Sequence, residues 1–437
     1  NLSPVWNPTK MEKGKVLILL PEAERKTGIE HLNTKGWDIH TLVDPNFTDP
    51  VGKNPEFSAV EYINRAVGYV RENGIQGVTG THDLACLLAA AVNNKTGLKG
   101  PSFKSQFYCV HKYYFRKLYG SPFEDYWMAD VDTDLSVDEN AVRVVSYPLR
   151  MKAVVGYDSS DQITVRNREE FEKAFTWFQQ KSLKQTLGWI NKFLFDELND
   201  HEITGDSWEK MPLILMEHFF EGYKQVDYVA AISGEGQLVT YDIGVVGRIE
   251  GLNMGLFPLN YSPEQVKGVV ENGLREAQRL VDQGFVASGM DVEGFLNEEC
   301  SRMHVMEVNG RYTTDELHFE DFIAPGCDIL EHFLMSSLGY LPTTIPHELP
   351  GKKWTLNYNV ETPKRGVVRE LIDFQYYQKL KEEGSCYEIP LLQDQEVPEK
   401  MYGNDGGQAI LTRILLRADS SEQVIATAKE TITKLFL

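Results

Sequence analysis

Cysteine is scarce in this chain, and what there is forms no pattern. Among 437 residues there are five (Cys86, Cys109, Cys300, Cys327 and Cys386), an odd number with no C-x-x-C pair. That argues against a disulfide framework and a cysteine zinc site, and fits reduced thiols in a cytoplasmic protein. Long hydrophobic runs are also missing, and the polar opening stretch Asn1–Lys13 does not read as a signal peptide, so no membrane partner is expected. Positive charge is in deficit. Lys and Arg number 44 against 64 Asp and Glu, a net charge of −20. Nucleic acid or an anionic membrane is therefore not expected as the main partner, although a local basic pocket for phosphates remains allowed. No G-x-G-x-x-G follows the first apolar run, no G-x-S-x-G elbow occurs, and His82, His111, His304 and His318 show no H-x-x-x-H or H-x-H spacing. A dinucleotide fingerprint, a serine hydrolase and a histidine zinc site all lose their footing.

What is present is an ordinary globular composition, 42% hydrophobic and 25% charged, at a length that suits two or three domains. Lys15–Leu20 is a short, nearly all-apolar strand of the kind covered on both faces. Trp37–Val43 and Ile75–Thr79 read as further strands. Between them Ser58 and Glu61 box the start of a helix with an apolar stripe of Val60, Ile63, Val67 and Val70. Another helix starts at Asp83. Alternating strands and helices of this length imply a parallel sheet with helices outside. Further on, Asn167 caps a helix carrying Phe171, Ala174, Phe175 and Phe178, and helical periodicity continues over Ser182–Glu202. Strands are expected at Leu213–Met216, Gln225–Ile232 and Gln237–Val246. Ser262-Pro263-Glu264-Gln265 opens a helix with a stripe of Val266, Val269, Val270, Leu274, Ala277, Leu280 and Val281. The three prolines of Leu341–Lys353 mark a connector, with strands expected at Trp354–Val360, Arg365–Leu371 and Gln408–Leu416 and a last helix capped by Ser420.

Gly289–Arg311 (GMDVEGFLNEECSRMHVMEVNGR) carries the most chemistry. Its two arms alternate with the period of a strand, and Asn297-Glu298-Glu299 supplies a polar loop. Glu307 and Asn309, two residues apart, project together. An antiparallel pairing centred near Cys300 would set Glu293 opposite Glu307. Two carboxylates and an amide oxygen then share one patch, where a hard cation would relieve the repulsion, Mg²⁺ with nucleotide phosphates first and Mn²⁺ as the substitute. The plainer reading is a solvated hairpin with chance charges.

Several stretches, taken in order, resemble the ATP-grasp superfamily over most of the chain. Thr79–Lys117 is similar to that family's opening segment, with a Gly-Leu-x-Gly-Pro-Ser turn and a lysine, Lys112, before an arginine-containing helix. Tyr147–Ala153 is similar to the strand that carries the second nucleotide-binding lysine, here Lys152. Gly156–Asp161, with Ser159 and Ser160, matches the loop that closes over the phosphates. Leu213–Gly222 (LILMEHFFEG) matches the strand where adenine docks, with Glu217 beside the base and the backbone at His218 and Phe220 reading its edge. Taken alone, Lys112 also reads as a surface lysine, and Lys152 as one that reaches to water along its stem.

The resemblance implies a mixed α/β and α+β architecture. An N-terminal parallel-sheet domain would span 1–109 and a two-lobed ATP-binding core 110–340, with a mobile lobe at about 130–218, before a C-terminal α+β domain at 341–437. It implies ATP and Mg²⁺, the ion held by Glu293, Glu307 and Asn309, with Arg311 on acyl-phosphate oxygens. The ribose-binding acid is replaced by Gln225 or displaced toward Lys224 and Asp227. Arg248 is a candidate for the substrate carboxylate and Glu250 for an amine. Tyr312–His318, including Asp315 and His318, would border the acceptor in place of the Gly-Gly turn common in amino-acid ligases. The implied activity is a carboxylate–amine ligase that joins small molecules such as amino acids through an acyl phosphate. A bicarbonate-activating carboxylase and a non-catalytic ATP-binding regulator are the alternatives, and a homodimer is left open.

Overall fold

The computed structural model describes residues 13–21, 26–47, 56–156, 162–181, 183–249, 252–257, 261–312, 328–342, 345, 353–362, 364–383, 394, 396–397 and 409–437. Strand β1 (Lys15–Leu19) lies between β2 (Asp38–Leu42) and β3 (Gly77–Gly80) in a parallel sheet, with Leu17 opposite both His40 and Val78. Residues Val16–Leu19 are fully buried, as the all-apolar run requires. Helices α1 (Lys26–Thr34), α2 (Ala59–Asn73) and α3 (Asp83–Thr96) complete this unit. Ser58 caps α2 and Gly74 ends it at φ 63°, a left-handed position glycine takes without strain. The buried stripe of α2 is turned from the expected one. Val60 is 52% exposed, while Tyr62 and Ala66 join Ile63, Val67 and Val70, because those five share one helical face. Two short helices, α4 (Phe103–Val110) and α5 (Lys112–Tyr119), follow with only His111 between them.

A four-stranded antiparallel sheet comes next, in the order β4-β7-β5-β6. It combines β4 (Met128–Val131), β5 (Leu149–Ala153), β6 (Gln162–Val165) and β7 (Ile214–His218). Helix α6 (Val137–Ala141) lies between β4 and β5, and α7 (Arg168–Gln180), α8 (Leu183–Leu198) and α9 (His201–Thr204) between β6 and β7. On α7 the expected Phe171, Ala174, Phe175 and Phe178 are the buried residues.

The rest of the chain builds one antiparallel sheet, β12-β11-β8-β9-β10-β13-β14. Its strands are β8 (Lys224–Ile232), β9 (Leu238–Ile249), β10 (Leu252–Phe257), β11 (Ser288–Leu296), β12 (Met303–Asn309), β13 (Trp354–Thr362) and β14 (Ala409–Ala418). Helices α10 (Pro263–Val281), α11 (Ile329–Ser337), α12 (Phe374–Glu382) and α13 (Ser421–Leu435) lie between and after them. The sheet therefore runs across position 341, with Leu256 of β10 paired to Leu356 of β13. That pairing satisfies the backbone edge β10 would otherwise present. On α10 the buried face is Val269, Asn272, Gly273, Glu276, Ala277 and Leu280, whereas Val266, Val270, Leu274 and Val281 are only partly buried. Gly273 sets this rotation, since a Cβ there would lie 2.2 Å from the Tyr228 ring. The strand expected at Arg365–Leu371 is instead a 3₁₀ turn, Val368–Glu370. Val368 in the turn and Leu371 and Ile372 just after it are buried, a spacing that is helical rather than strand-like. No helix among the described residues is long and apolar enough to cross a membrane.

Candidate functional site

The β11–β12 hairpin has the expected register at its functional end, with Asp291 opposite Asn309 and Glu293 opposite Glu307. On its other side β11 pairs with β8, and Asp227 stands across from Glu293. Three adjacent strands thus set Asp227, Glu293 and Glu307 in one cross-strand row, with Asp291 and Asn309 in the next. Carboxylate oxygens of Asp227, Asp291 and Glu293 lie within 4.8 Å of one another. The Asn309 amide nitrogen donates to Asp291 Oδ2 (3.1 Å) and Glu293 Oε1 (3.0 Å). Burial, then the nearby Glu307 and Asp291 charges, push the Glu293 carboxyl well above its ordinary range. The donors on this patch are all oxygens apart from the Asn309 amide nitrogen, which fits a hard divalent cation such as Mg²⁺. Asp227 and Asp291 were not assigned to the ion from sequence. Asp291 did show the two-residue step to Glu293, but Asp227 comes from a distant strand and only the sheet brings it in.

Two lysines face this row. Lys112 opens α5, and its backbone N–H donates to Val154 O (2.8 Å), which pins the helix start to the end of β5. Its Nζ reaches Glu307 Oε2 (3.0 Å) and the Gly156 carbonyl (2.8 Å). Lys152, on β5, is 5% exposed and lies 2.5 Å from Glu217 Oε1 on β7. Burial would raise the Glu307 carboxyl, but the Lys112 and Lys152 charges override it and hold it low. Burial would likewise raise Glu217, and Arg116 with Lys152 brings it well below the usual carboxylate range.

Arg116, one helical turn after Lys112, shows nothing in the sequence beyond its place in the helix. The structure makes it a junction. Its guanidinium is 1% exposed and pairs with Glu217 at 2.5 Å, and it donates to the carbonyls of Val305 and Met306 on β12. Tyr126 adds a hydrogen bond to the same Glu217 oxygen at 3.1 Å. One arginine therefore ties α5, β7 and β12 together immediately before Glu307.

The cleft over these groups measures about 180 Å³ and is lined by Lys112, Lys152, Glu217, Gln225, Glu293 and Glu307 among others, with Phe220, Phe295 and His304 on its apolar wall. The Phe220 ring packs 4.4 Å from His304 and 5.6 Å from Phe295, so it serves the wall of the cleft. The backbone N–H of His218 donates to Trp127 O (3.0 Å) and holds this end of β7 beside the chain that leads into β4. Arg311 is 7% exposed and its Nε sits 2.9 Å from Asp83 Oδ1, so its guanidinium meets the start of α3. Burial would lower its pKa, but Asp83 and Asp291 more than offset that and raise it. Arg248 lies on β9 opposite Asn253. The side chain of Arg248, and Ser159, Ser160, Glu250, Asp315 and His318, lie outside the described residues.

Comparison with solved structures finds this architecture over nearly the full chain. An L-amino acid ligase from Bacillus licheniformis superposes with a TM-score of 0.69 at 16% identity, covering 97% of this chain and 98% of its own. A carboxyaminoimidazole ribonucleotide synthase from Aspergillus clavatus, complexed with ATP, gives 0.63 at 14% identity over 96% and 98%. Biotin carboxylase from Campylobacter jejuni gives 0.59 at 14% over 97% and 92%. The fold is ATP-grasp. No protein-family model matches the sequence, and no curated protein does. At these identities the likeness is one of fold. Within the ATP-grasp fold of this chain, the cleft lies between the four-stranded sheet, which supplies Lys152 and Glu217, and the seven-stranded sheet, which supplies Gln225, Glu293 and Glu307.

Proposed function

We propose that this protein is an ATP-dependent carboxylate–amine ligase that joins two small molecules, amino acids first among them, with release of ADP and phosphate. The observation that carries the reading is the meeting of two lysines and two acidic side chains, Lys112, Lys152, Glu293 and Glu307, in one cleft, with Asn309 hydrogen-bonded to Glu293 beside it. Glu293, Glu307 and Asn309, with Asp227 and Asp291 beside them, would hold Mg²⁺, which when bound draws electron density from phosphate oxygens. Lys112 and Lys152 would turn from their carboxylate partners to the triphosphate, offering point charges where negative charge collects.

A substrate carboxylate oxygen then attacks the γ-phosphorus of ATP, the bond to the β–γ bridging oxygen breaks, and ADP leaves. The amine nitrogen attacks the acyl carbon, phosphate departs with its electron pair, and the nitrogen loses a proton. The chain contributes position, charge and exclusion of water, which would otherwise hydrolyse the acyl phosphate. The deciding experiment is an ADP-release screen over pairs of amino acids, with mass spectrometry of the products. Carboxylate labelled with ¹⁸O should pass one label to the released phosphate. ATP binding with no turnover on any pair would favour a binding protein instead.

A further inference from the structure

Strand β12 borders two cavities. His304 and Met306 face the nucleotide cleft, and the alternate residues Met303 and Val305 line a second cavity of about 370 Å³ on the other side. Its remaining walls are the turn after α5 (Gly120, Ser121, Pro122), one face of α10 and the tip of the β11–β12 hairpin. Three arginines open into it, Arg275 and Arg279 from α10 and Arg302 from the hairpin, against one carboxylate, Glu276. In a chain of net charge −20 such a concentration of guanidinium groups runs against the background field.

Two of these arginines are held in place. Both oxygens of Glu276, which is 6% exposed, are taken, Oε1 by Arg275 Nε (2.9 Å) and Oε2 by Arg279 Nη1 (2.9 Å). Arg275 Nη2 donates to Asn272 Oδ1 (2.5 Å). Arg279 Nη2 donates to the last carbonyls of α5, Leu118 (2.7 Å) and Tyr119 (3.0 Å). Capping α5 accounts for Arg279 alone. Arg302 makes no side-chain hydrogen bond or ion pair among the described residues. One carboxylate with both oxygens engaged cannot neutralise three guanidiniums.

We propose that this cavity is a second ligand site, separate from the nucleotide cleft, for a small phosphate ester. Arg302 takes phosphate oxygens in a forked contact, Arg275 adds its remaining Nη1 donor, and the turn Gly120–Pro122 borders the organic part. The volume falls in the range that holds a small metabolite, roughly 300–1,000 Å³.

The test uses the full chain with its nucleotide cleft saturated by Mg²⁺ and ADP, titrated calorimetrically with glucose 6-phosphate and, as a control, glucose. The wild type should bind the phosphate ester one to one and not bind glucose. Arg302→Ala and Arg275→Ala should each weaken that binding by about tenfold or more, the loss of a charge-assisted contact, while ADP affinity stays within about twofold. Arg302 sits at an exposed hairpin tip, so its removal leaves the core untouched. No binding by the ADP-saturated wild type, or binding that both variants leave unchanged, would overturn the proposal.

Discussion

Burial brings the Lys152 ammonium down from 10.5 to about 8, even with Glu217 at 2.5 Å, because desolvation outweighs the pairing. The unfolded chain therefore holds more protons on this group between about pH 8 and 10.5, and its contribution to folding stability rises with pH across that window. Nucleotide binding runs the other way, since only the charged form attracts phosphate. ATP affinity should fall as pH rises through about 8, well before ordinary lysines titrate, and Lys152→Met should remove that step from the titration curve. A profile unchanged by the substitution would make Lys152 a bystander. Glu307→Gln keeps the shape but removes a charge that Lys112 and the ion would share. Turnover should drop by at least about a hundredfold with the melting temperature little changed, and an unaltered rate of ADP release would remove Glu307 from the site. Glu307 and Asn309 were legible from sequence because strand period alone puts both on one face. Arg116 was not, since nothing in HKYYFRK tells that its guanidinium ends against two β12 carbonyls nearly two hundred residues away.

The elements meet through a few close contacts, and these carry their own tests. Arg116→Ala would leave Glu217 with Lys152 and Tyr126 alone and two β12 carbonyls without their donor in a buried setting. The expected loss is about 3–5 kcal/mol, read as a lower urea midpoint. Arg116→Lys should recover only part, because a lysine cannot reach the carboxylate and both carbonyls at once. A loss under about 1 kcal/mol in the alanine variant would deny the junction. On α10, Gly273→Ala places a methyl against the Tyr228 ring and should cost about 1–3 kcal/mol, whereas Gly68→Ala on α2, with open space around it, should not destabilise. Equal melting temperatures for the two variants would contradict the packing described. Sequence patterns placed the caps at Ser58, Asn167, Ser262 and Ser420 because capping is local chemistry. On α10 they placed the apolar stripe against the core but missed Asn272, Gly273 and Glu276 on the same face, which carry no hydrophobic signal.

At the scale of the molecule, the seven-stranded sheet joins the hairpin that carries Glu293 and Glu307 to strands beyond position 341, while the four-stranded sheet brings Lys152 and Glu217 over it. Pairing of β10 with β13 was not legible, because strand order in an antiparallel sheet depends on long-range partners and the prolines of Leu341–Lys353 read as a break. The cleft holds two ion pairs, Lys112–Glu307 between α5 and the seven-stranded sheet and Lys152–Glu217 within the four-stranded sheet, which a magnesium-bound nucleotide would have to replace. A titration of ATP with and without Mg²⁺, in the wild type and in the double variant Glu293→Gln/Glu307→Gln, puts that arrangement to the most direct test. Mg²⁺ should tighten ATP binding by about tenfold or more in the wild type and have no such effect in the double variant. Equal Mg²⁺ dependence in both proteins would contradict the placement of the ion on these strands.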